Sequence, residues 1–258
     1  MWHNFITVTS AKPLTRLYFP CEIPPHGACR LPPEQAHHVT RVLRLGTGDS
    51  VTLFDGNGAE YAAAITQVAR HGVTLNVGER ISVDRESPLP VLLAQAISSG
   101  ERMDYTVQKA VELGVARIQP LETERSVVRL DGARAQKRVA HWQAVAVAAC
   151  EQCGRNRVPH VAPVMTLRDW LGRKMQPSPP AEMRLLLATQ AQVVLRELPR
   201  PAGGVTLLAG PEGGLTFEEQ HDARRAGFTP VRLGPRVLRT ETAAVAALAA
   251  LQTLWGDF

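Results

Sequence analysis

From Val91 onward, short apolar runs alternate with segments of helical periodicity, and this alternation limits the possible folds of the 258-residue chain more than any other feature. The strand-like runs are Val91–Ile97, Arg117–Leu121, Arg184–Ala188, Val205–Ala209 and Val231–Leu233, and the helical patterns include Glu101–Leu113, Ala135–Cys153 and Thr242–Trp255. Strands that alternate with helices form a largely parallel sheet covered by those helices. We therefore predict an α/β domain over residues 91–258.

The chain before this domain has a different texture, made of short β-type runs broken by turn signals. These runs are Thr15–Phe19, Ser50–Phe54, Glu60–Ile65 and Val73–Val77. Asp55-Gly56-Asn57-Gly58 is a strong hairpin signal, and Pro33–Leu43 is a helical pattern with proline in its first turn. We predict a small β-barrel-like domain over residues 15–84, a charged and proline-containing linker over 85–90, and an N-terminal extension over 1–14.

The composition is typical of a soluble protein with a packed core, since 45% of residues are hydrophobic and 21% are charged. The longest apolar run, Ala243–Leu251, is too short to span a bilayer, and the N-terminus does not resemble a secretory signal. We therefore expect a cytoplasmic protein without a membrane partner. The net charge of +5 is compatible with a polyanionic partner, although it is weak evidence by itself.

Four cysteines are present, and Cys150 and Cys153 have a spacing found in metal and redox sites. A structural zinc site would need a second pair, and Cys21 with Cys29 has the wrong spacing for one. We interpret all four as reduced structural thiols and assign no metal.

The turn Gly210-Pro211-Glu212-Gly213-Gly214 lies between an apolar strand and a helix that Thr216 and Glu219 begin as a capping box. Ligands bind at such strand ends in open α/β sheets. The turn matches neither the phosphate-loop nor the dinucleotide pattern, so a ligand poor in phosphate fits better. A plain tight turn remains the structural alternative.

A second glycine turn follows the next strand, in Leu233-Gly234-Pro235-Arg236-Val237-Leu238-Arg239-Thr240-Glu241-Thr242-Ala243. It combines arginines, a carboxylate and hydroxyl groups just before the last helix. The structural alternative is that Thr240 or Thr242 caps this helix while the arginines are solvated.

The segments GPEGGLTFEE and LGPRVLRTETA resemble the signature of the SPOUT-class methyltransferases, in particular the bacterial family that makes 3-methyluridine in small-subunit ribosomal RNA. Further matches are Val107–Val115, Thr123–Ser126 and Cys150–Asn156, and the similarity extends from about Arg16 to the end of the chain. The resemblance implies a SPOUT-type trefoil-knot methyltransferase domain preceded by a small PUA-like domain.

The resemblance also implies S-adenosylmethionine as methyl donor. The residues implied to line its pocket are Leu187, Ala188, Gly210, Pro211, Glu212, Gly213, Leu233, Gly234, Leu238, Thr240 and Ala243. We expect Arg155, Arg239 and Glu241 to be catalytic. The arginines would stabilise the negative charge that develops when N3 of a flipped-out uracil loses its proton, and Glu241 would either accept that proton or only orient an arginine.

In the first domain, Arg16 lies in a run similar to the opening strand of a PUA-type RNA-binding domain, and Arg41 and Arg44 lie in the segment similar to its helix. We predict that these arginines bind RNA, with a merely solvated helix face as the alternative for Arg41 and Arg44. The expected partner is small-subunit ribosomal RNA, free or in the assembled subunit, and not DNA.

The last helix is nearly apolar on all sides, which favours burial against more than one surface. The resemblance implies a homodimer, and burial within one subunit is the alternative. The remaining functional alternative is an RNA-binding assembly factor that retains an inactive S-adenosylmethionine pocket.

Overall fold

The computed structural model describes residues 15–70, 72–174 and 182–258. The predicted N-terminal extension, residues 1–14, lies outside them. The chain divides into two compact units, Met1–Asp84 and Arg85–Phe258.

The described part of the first unit is built around a five-stranded sheet in the order β1-β3-β4-β5-β2. The strands are β1 (Thr15–Tyr18), β2 (Gly27–Arg30), β3 (Ser50–Phe54), β4 (Glu60–Ala69) and β5 (Gly72–Ile81). The Asp55–Gly58 signal joins β3 to β4 in an antiparallel pair, as predicted. Alternate residues of these strands, among them Leu53, Ile65 and Leu75, are fully buried in a core of their own. The short strand β2 was not predicted.

The helix predicted over Pro33–Leu43 is shorter and changes type. Helix α1 covers Pro33–His37 and continues into one π-helical turn, His38–Val42. There the amide of Leu43 donates to the carbonyl oxygen of His38 at 3.0 Å. The β-branched residues of this turn favour α-helix weakly, and the Thr40 hydroxyl donates to the Ala36 carbonyl oxygen, which competes with the helical ladder.

In the second unit, the described strands form an eight-stranded sheet in which seven follow the order β11-β13-β10-β12-β6-β7-β8, and β9 also pairs with β7. The bounds are β6 (Val91–Ala96), β7 (Arg117–Glu122), β8 (His160–Val161), β9 (Met165–Thr166), β10 (Met183–Leu187), β11 (Val193–Val194), β12 (Val205–Ala209) and β13 (Thr229–Arg232). The pairings are parallel, as the alternation of strands and helices predicts.

The helices of this unit are α2 (Glu101–Glu112), α3 (Gly132–Cys153), α4 (Leu167–Lys174), α5 (Phe217–Arg225) and α6 (Thr240–Trp255). Helix α5 begins with the predicted capping box of Thr216 and Glu219, and α3 ends at Gly154 in the left-handed conformation. Among the described residues, no helix is long and apolar enough to cross a membrane.

The two faces of the central strands are covered by different helices. Ala94 of β6 belongs to a buried cluster with residues of α4 and α5. Trp170 of α4 and Phe228, which follows α5, are part of the same cluster. The next residue, Gln95, points the other way and contacts Thr240 at the start of α6. Helix α2 packs against both α3 and α6. The carboxyl ends of β6, β10, β12 and β13 therefore meet between these layers, and the loops that follow them build the site.

Candidate active site

A cavity of about 600 Å³ lies at the carboxyl ends of β10, β12 and β13. It is lined by all the residues that the sequence predicts to bind the donor, namely Leu187, Ala188, Gly210, Pro211, Glu212, Gly213, Leu233, Gly234, Leu238, Thr240 and Ala243. Arg239 and Glu241 also line it. Both glycine turns thus line one pocket.

The first glycine turn is packed closely against its surroundings. A Cβ atom on Gly210 would lie 3.2 Å from the amide nitrogen of Leu215, and one on Gly213 would lie 3.2 Å from Cβ of Arg125. Arg125 also donates a hydrogen bond from Nη1 to the carbonyl oxygen of Gly213, at 3.0 Å. A larger residue at either glycine would displace the turn that forms this wall.

A buried polar network joins the two turns below the cavity. The Thr240 hydroxyl donates to the carbonyl oxygen of Gly210 at 2.7 Å and accepts from Nε2 of Gln95 at 3.2 Å. Arg239, not a threonine, is the N-cap residue of α6, and no side chain caps that helix. Thr240 therefore uses its hydroxyl to tie the start of α6 to the first glycine turn, and it is not the capping residue of the structural alternative.

Glu212 lines the pocket and is bonded to the loop that follows β6. Its Oε1 accepts hydrogen bonds from the backbone and hydroxyl of Ser99, both at 2.9 Å, and from Nη1 of Arg102 at 2.9 Å. Burial by itself raises the pKa of the Glu212 carboxyl, but these hydrogen bonds outweigh burial and hold its pKa below the ordinary value. Glu212 is therefore an ionised, fixed part of the wall.

Glu241 lies in the first turn of α6, where its side chain is 15% exposed. Its Oε1 is 3.9 Å from Nε of Arg102, whereas its Oε2 is buried without a hydrogen-bond partner among the described residues. Arg239 is exposed at the pocket mouth, as is Arg236. The pocket is thus lined by a carboxylate, with the guanidinium of Arg102 close to it, and by two further arginines.

The structure does not bring Arg155 to this pocket. Its side chain is 6% exposed and forms an ion pair with Glu86, and its Nη1 donates to the carbonyl oxygens of Val111 and Val115, each at 2.9 Å. These contacts join the linker to the end of α2. Within one chain, the guanidinium of Arg155 is engaged in packing rather than in the cavity.

The three arginines predicted to bind RNA have different surroundings in the first unit. Arg16 forms an ion pair with Glu60 at 2.7 Å and lies over the ring of Phe54, with its side chain only 12% exposed. Arg41 and Arg44 are both exposed. Arg44 lies beyond the π-helical turn, with a φ of 54°. The prediction that Arg41 and Arg44 share one helix is therefore wrong.

Three polar residues at the site were missed by sequence reasoning: Gln95, Ser99 and Arg102. They come from the end of β6 and the start of α2, more than a hundred residues before the glycine turns. The signal that could have revealed them is Ser98-Ser99-Gly100 directly after a buried strand, because the carboxyl ends of parallel strands share one sheet edge.

No group of three or more His, Cys, Asp or Glu side chains in the described part of the chain is placed to hold a metal ion. None of the four cysteines, all within the described residues, forms a disulfide, and Cys150 is fully buried.

The two units match known families in the same order along the chain. Residues 31–78 match the RNA methyltransferase PUA domain, and residues 85–252 match the RNA methyltransferase domain. Together with the parallel sheet and its strand-end pocket, these matches define an RNA methyltransferase of the SPOUT class with a PUA-like first domain. The fold class expected from the sequence is confirmed.

Individual relatives narrow the class further. Ribosomal RNA small subunit methyltransferase E from Buchnera aphidicola is 31% identical over 98% of both chains. The crystal structure of the Neisseria gonorrhoeae enzyme of the same name, bound to S-adenosylmethionine, has a TM-score of 0.88 and 42% identity over 95% of this chain and all of that one. A putative methyltransferase from Legionella pneumophila, also in complex with that cofactor, has a TM-score of 0.89 and 41% identity over the same shares. The chain belongs to the ribosomal RNA small subunit methyltransferase E family.

Proposed function

We propose that this protein transfers the methyl group of S-adenosylmethionine to N3 of a uridine in small-subunit ribosomal RNA. The observation that carries the proposal is the cavity between the two glycine turns, with a carboxylate and arginines at its wall. The Neisseria and Legionella proteins, similar over nearly the whole chain, are described as bound to the same donor.

The cavity suits this donor in size and chemistry. Its volume of about 600 Å³ lies within the range of about 300–1,000 Å³ that small ligands occupy in proteins. A Cβ atom built on Gly234, which lines the cavity, meets no protein atom within 4 Å. Apolar side chains such as Leu187 and Leu238 line the same cavity and can cover the face of an adenine.

The chemistry proposed for the pocket requires a proton acceptor and a site for negative charge. S-adenosylmethionine supplies an activated methyl group, so no nucleophile of the protein is needed. Glu241, which lines the cavity and whose side chain is 15% exposed, accepts the proton of uracil N3. Arg239 stabilises the charge that spreads onto the flanking carbonyl oxygens. The N3–H bond breaks and the methyl group moves from sulfur to N3, leaving S-adenosylhomocysteine.

We assign no step of this reaction to Arg155, because its guanidinium is occupied by Glu86 and two backbone carbonyl oxygens. Arg16 has no direct role for a similar reason, since it is held by Glu60 within the first unit. Arg41 and Arg44 are the arginines of that unit that we propose to bind the RNA backbone.

The proposed target, cellular location and oligomeric state follow from the same family. A target base must leave its stack to reach the cavity, which favours an accessible single-stranded uridine of small-subunit RNA over a DNA duplex. We place this activity in the cytoplasm, without a membrane partner, and in a homodimer.

The decisive experiment is to incubate the purified protein with isotopically labelled S-adenosylmethionine and small ribosomal subunits that lack the modification. Digestion to nucleosides and mass spectrometry identify the product. We expect 3-methyluridine, formed by the wild-type protein and strongly reduced in Glu241→Gln. Label on C5 or on ribose would refute the proposed chemistry, and donor binding without any transfer would favour the assembly-factor alternative.

A further inference from the structure

We propose that Arg102 is a positioning residue of the methyl-transfer reaction, which holds the carboxylates of Glu212 and Glu241 in place at the wall of the donor pocket. This inference rests on the proposed function and adds a residue to it that lies outside both glycine turns.

The start of α2 places Arg102 at the cavity. It is in the first turn of α2, directly after the loop that leaves β6, and it lines the cavity. Gly100, with a φ of 59°, makes the sharp turn between that strand and the helix. Backbone in this left-handed region favours glycine, so the turn that aims Arg102 at the pocket is encoded locally.

Arg102 contacts Glu212 directly. Nη1 of Arg102 donates to Oε1 of Glu212 at 2.9 Å and to the hydroxyl of Ser99 at 3.0 Å. The same carboxylate oxygen accepts from the Ser99 backbone and hydroxyl, so three donors converge on it. Because Glu212 belongs to the first glycine turn, these bonds tie that turn to the end of β6.

Arg102 also approaches Glu241. Nε of Arg102 lies 3.9 Å from Oε1 of Glu241, in the first turn of α6. Oε2 of the same carboxylate is buried and has no partner among the described residues. Arg102 therefore holds Glu241 by Oε1 and fixes the orientation of its carboxylate at the pocket.

The two carboxylates of the pocket need a cation that fixes their orientation. Two carboxylates line one pocket that receives a cationic sulfonium, and the reaction needs one of them in a fixed orientation. Without a cation between them, Glu241 would be free to rotate toward solvent or toward the sulfonium. The planar guanidinium can contact both carboxylates at once, which an ammonium group cannot do as well.

Arg102 is also suited to a clean test, because it does not belong to the core. Its side chain is 41% exposed, and its hydrogen bonds and ion pairs named here all go to polar groups of the site. Loss of a partly exposed ion pair changes protein stability little. A defect in the variant can therefore be attributed to the site.

The test compares Arg102→Met, Arg102→Lys and the control Arg134→Met, which changes an exposed arginine of α3 far along the chain from the pocket residues. We measure single-turnover methylation of small subunits at saturating donor, donor affinity by calorimetry, and thermal unfolding. Arg102→Met should lose about 10²-fold in rate, the scale of a misplaced general base, with donor affinity within about threefold of wild type. Arg102→Lys should recover part of the rate, and Arg134→Met should behave as wild type.

A double variant separates positioning from a general structural effect. If Arg102 acts through Glu241, Arg102→Met combined with Glu241→Gln should be no slower than Glu241→Gln alone, because residues that act as a unit are not additive. A wild-type rate in Arg102→Met, or fully additive losses in the double variant, would overturn the inference. Absence of methylation by the wild-type protein would instead be a failure of the proposed function.

Discussion

Arg155 and Glu86 form a buried ion pair whose energetic role differs from that of the arginines at the pocket. Arg155 is 5% exposed, and besides Glu86 it bonds the carbonyl oxygens of Val111 and Val115. Removing one partner of a buried pair leaves the other charge uncompensated. The pair therefore stabilises the linker against the end of α2, which a surface arginine would not do.

We predict that Arg155→Met lowers the free energy of unfolding by about 3–5 kcal/mol. Urea denaturation followed by circular dichroism measures this change, with Arg102→Met as the matched control that should lose little. At a temperature where the variant remains folded, it should still bind the donor. A variant as stable as wild type but unable to methylate would show that Arg155 is catalytic after all.

Gly234 gives a test of the donor site at a position that has room for a Cβ atom. Its Cβ position is open and its φ lies outside the left-handed region, unlike that of Gly214. We predict that Gly234→Val weakens S-adenosylmethionine binding at least 10-fold, because the added side chain is placed on a residue that lines the cavity.

Calorimetry measures this affinity, and Gly46→Val in the first unit is the matched control, since a Cβ there also meets nothing and its φ is also ordinary. Equal affinity in folded Gly234→Val and wild type would remove Gly234 from the donor site.

The residues of the pocket could be predicted from the sequence to different extents. Gly210 and Glu241 stand in contiguous motifs at strand ends, which is a local pattern. Arg102 could not be assigned, because its approach to Glu212 depends on which strands are neighbours in the sheet. The motif around Arg155 identifies the residue but does not indicate which way its side chain points.

Among the secondary-structure elements, the segment His38–Val42 shows that helix propensity does not predict the type of helix. The helical pattern of Pro33–Leu43 was recognised, but the π-helical turn depends on a widened hydrogen bond from Leu43 to His38. π-Helical turns are rare and often occur at functional sites. This turn places Arg41 and Val42 at the surface, and Val42 is 60% exposed.

We predict that the double change Arg41→Glu and Arg44→Glu weakens RNA binding and reduces its salt dependence, because two phosphate contacts are lost and replaced by repulsion. Each contact contributes a slope of roughly 0.7–0.9 in the logarithm of affinity against the logarithm of salt. Filter binding of small-subunit RNA across a salt series measures both effects, and donor binding should be unchanged.

The matched control is Arg80→Glu, which reverses the charge of an exposed residue on β5. If the double variant and this control bind RNA equally well, Arg41 and Arg44 are only solvated.

For the whole molecule, the sequence predicted the class of fold but not its topology. Alternating strands and helices after Val91 indicate a parallel sheet, and that sheet is observed. The order in which β10 lies between β12 and β13 is not written in any local pattern, because it depends on long-range pairing. It is this order that brings the loops after β12 and β13 to one pocket.

The end of α6 is where the association of two chains can be tested. Helix α6 was expected to be buried on more than one side, and within the chain it buries Ala244, Ala247, Leu248, Leu251 and Trp255. At the end of this helix and beyond it, Leu254 is 42% exposed and Phe258 is 64% exposed. Large apolar side chains left exposed suit a protein–protein contact. We propose that this surface takes part in a homodimer.

Light scattering should then report twice the mass of the 28.1 kDa chain. Leu254→Lys should shift the protein toward the monomer, because a charge would be placed within an apolar contact. Thr253→Lys is the control, since Thr253 is exposed on the same helix one residue away. Methylation should fall together with the dimer fraction if the active site draws on both subunits. A strictly monomeric wild-type protein with full activity would refute the dimer.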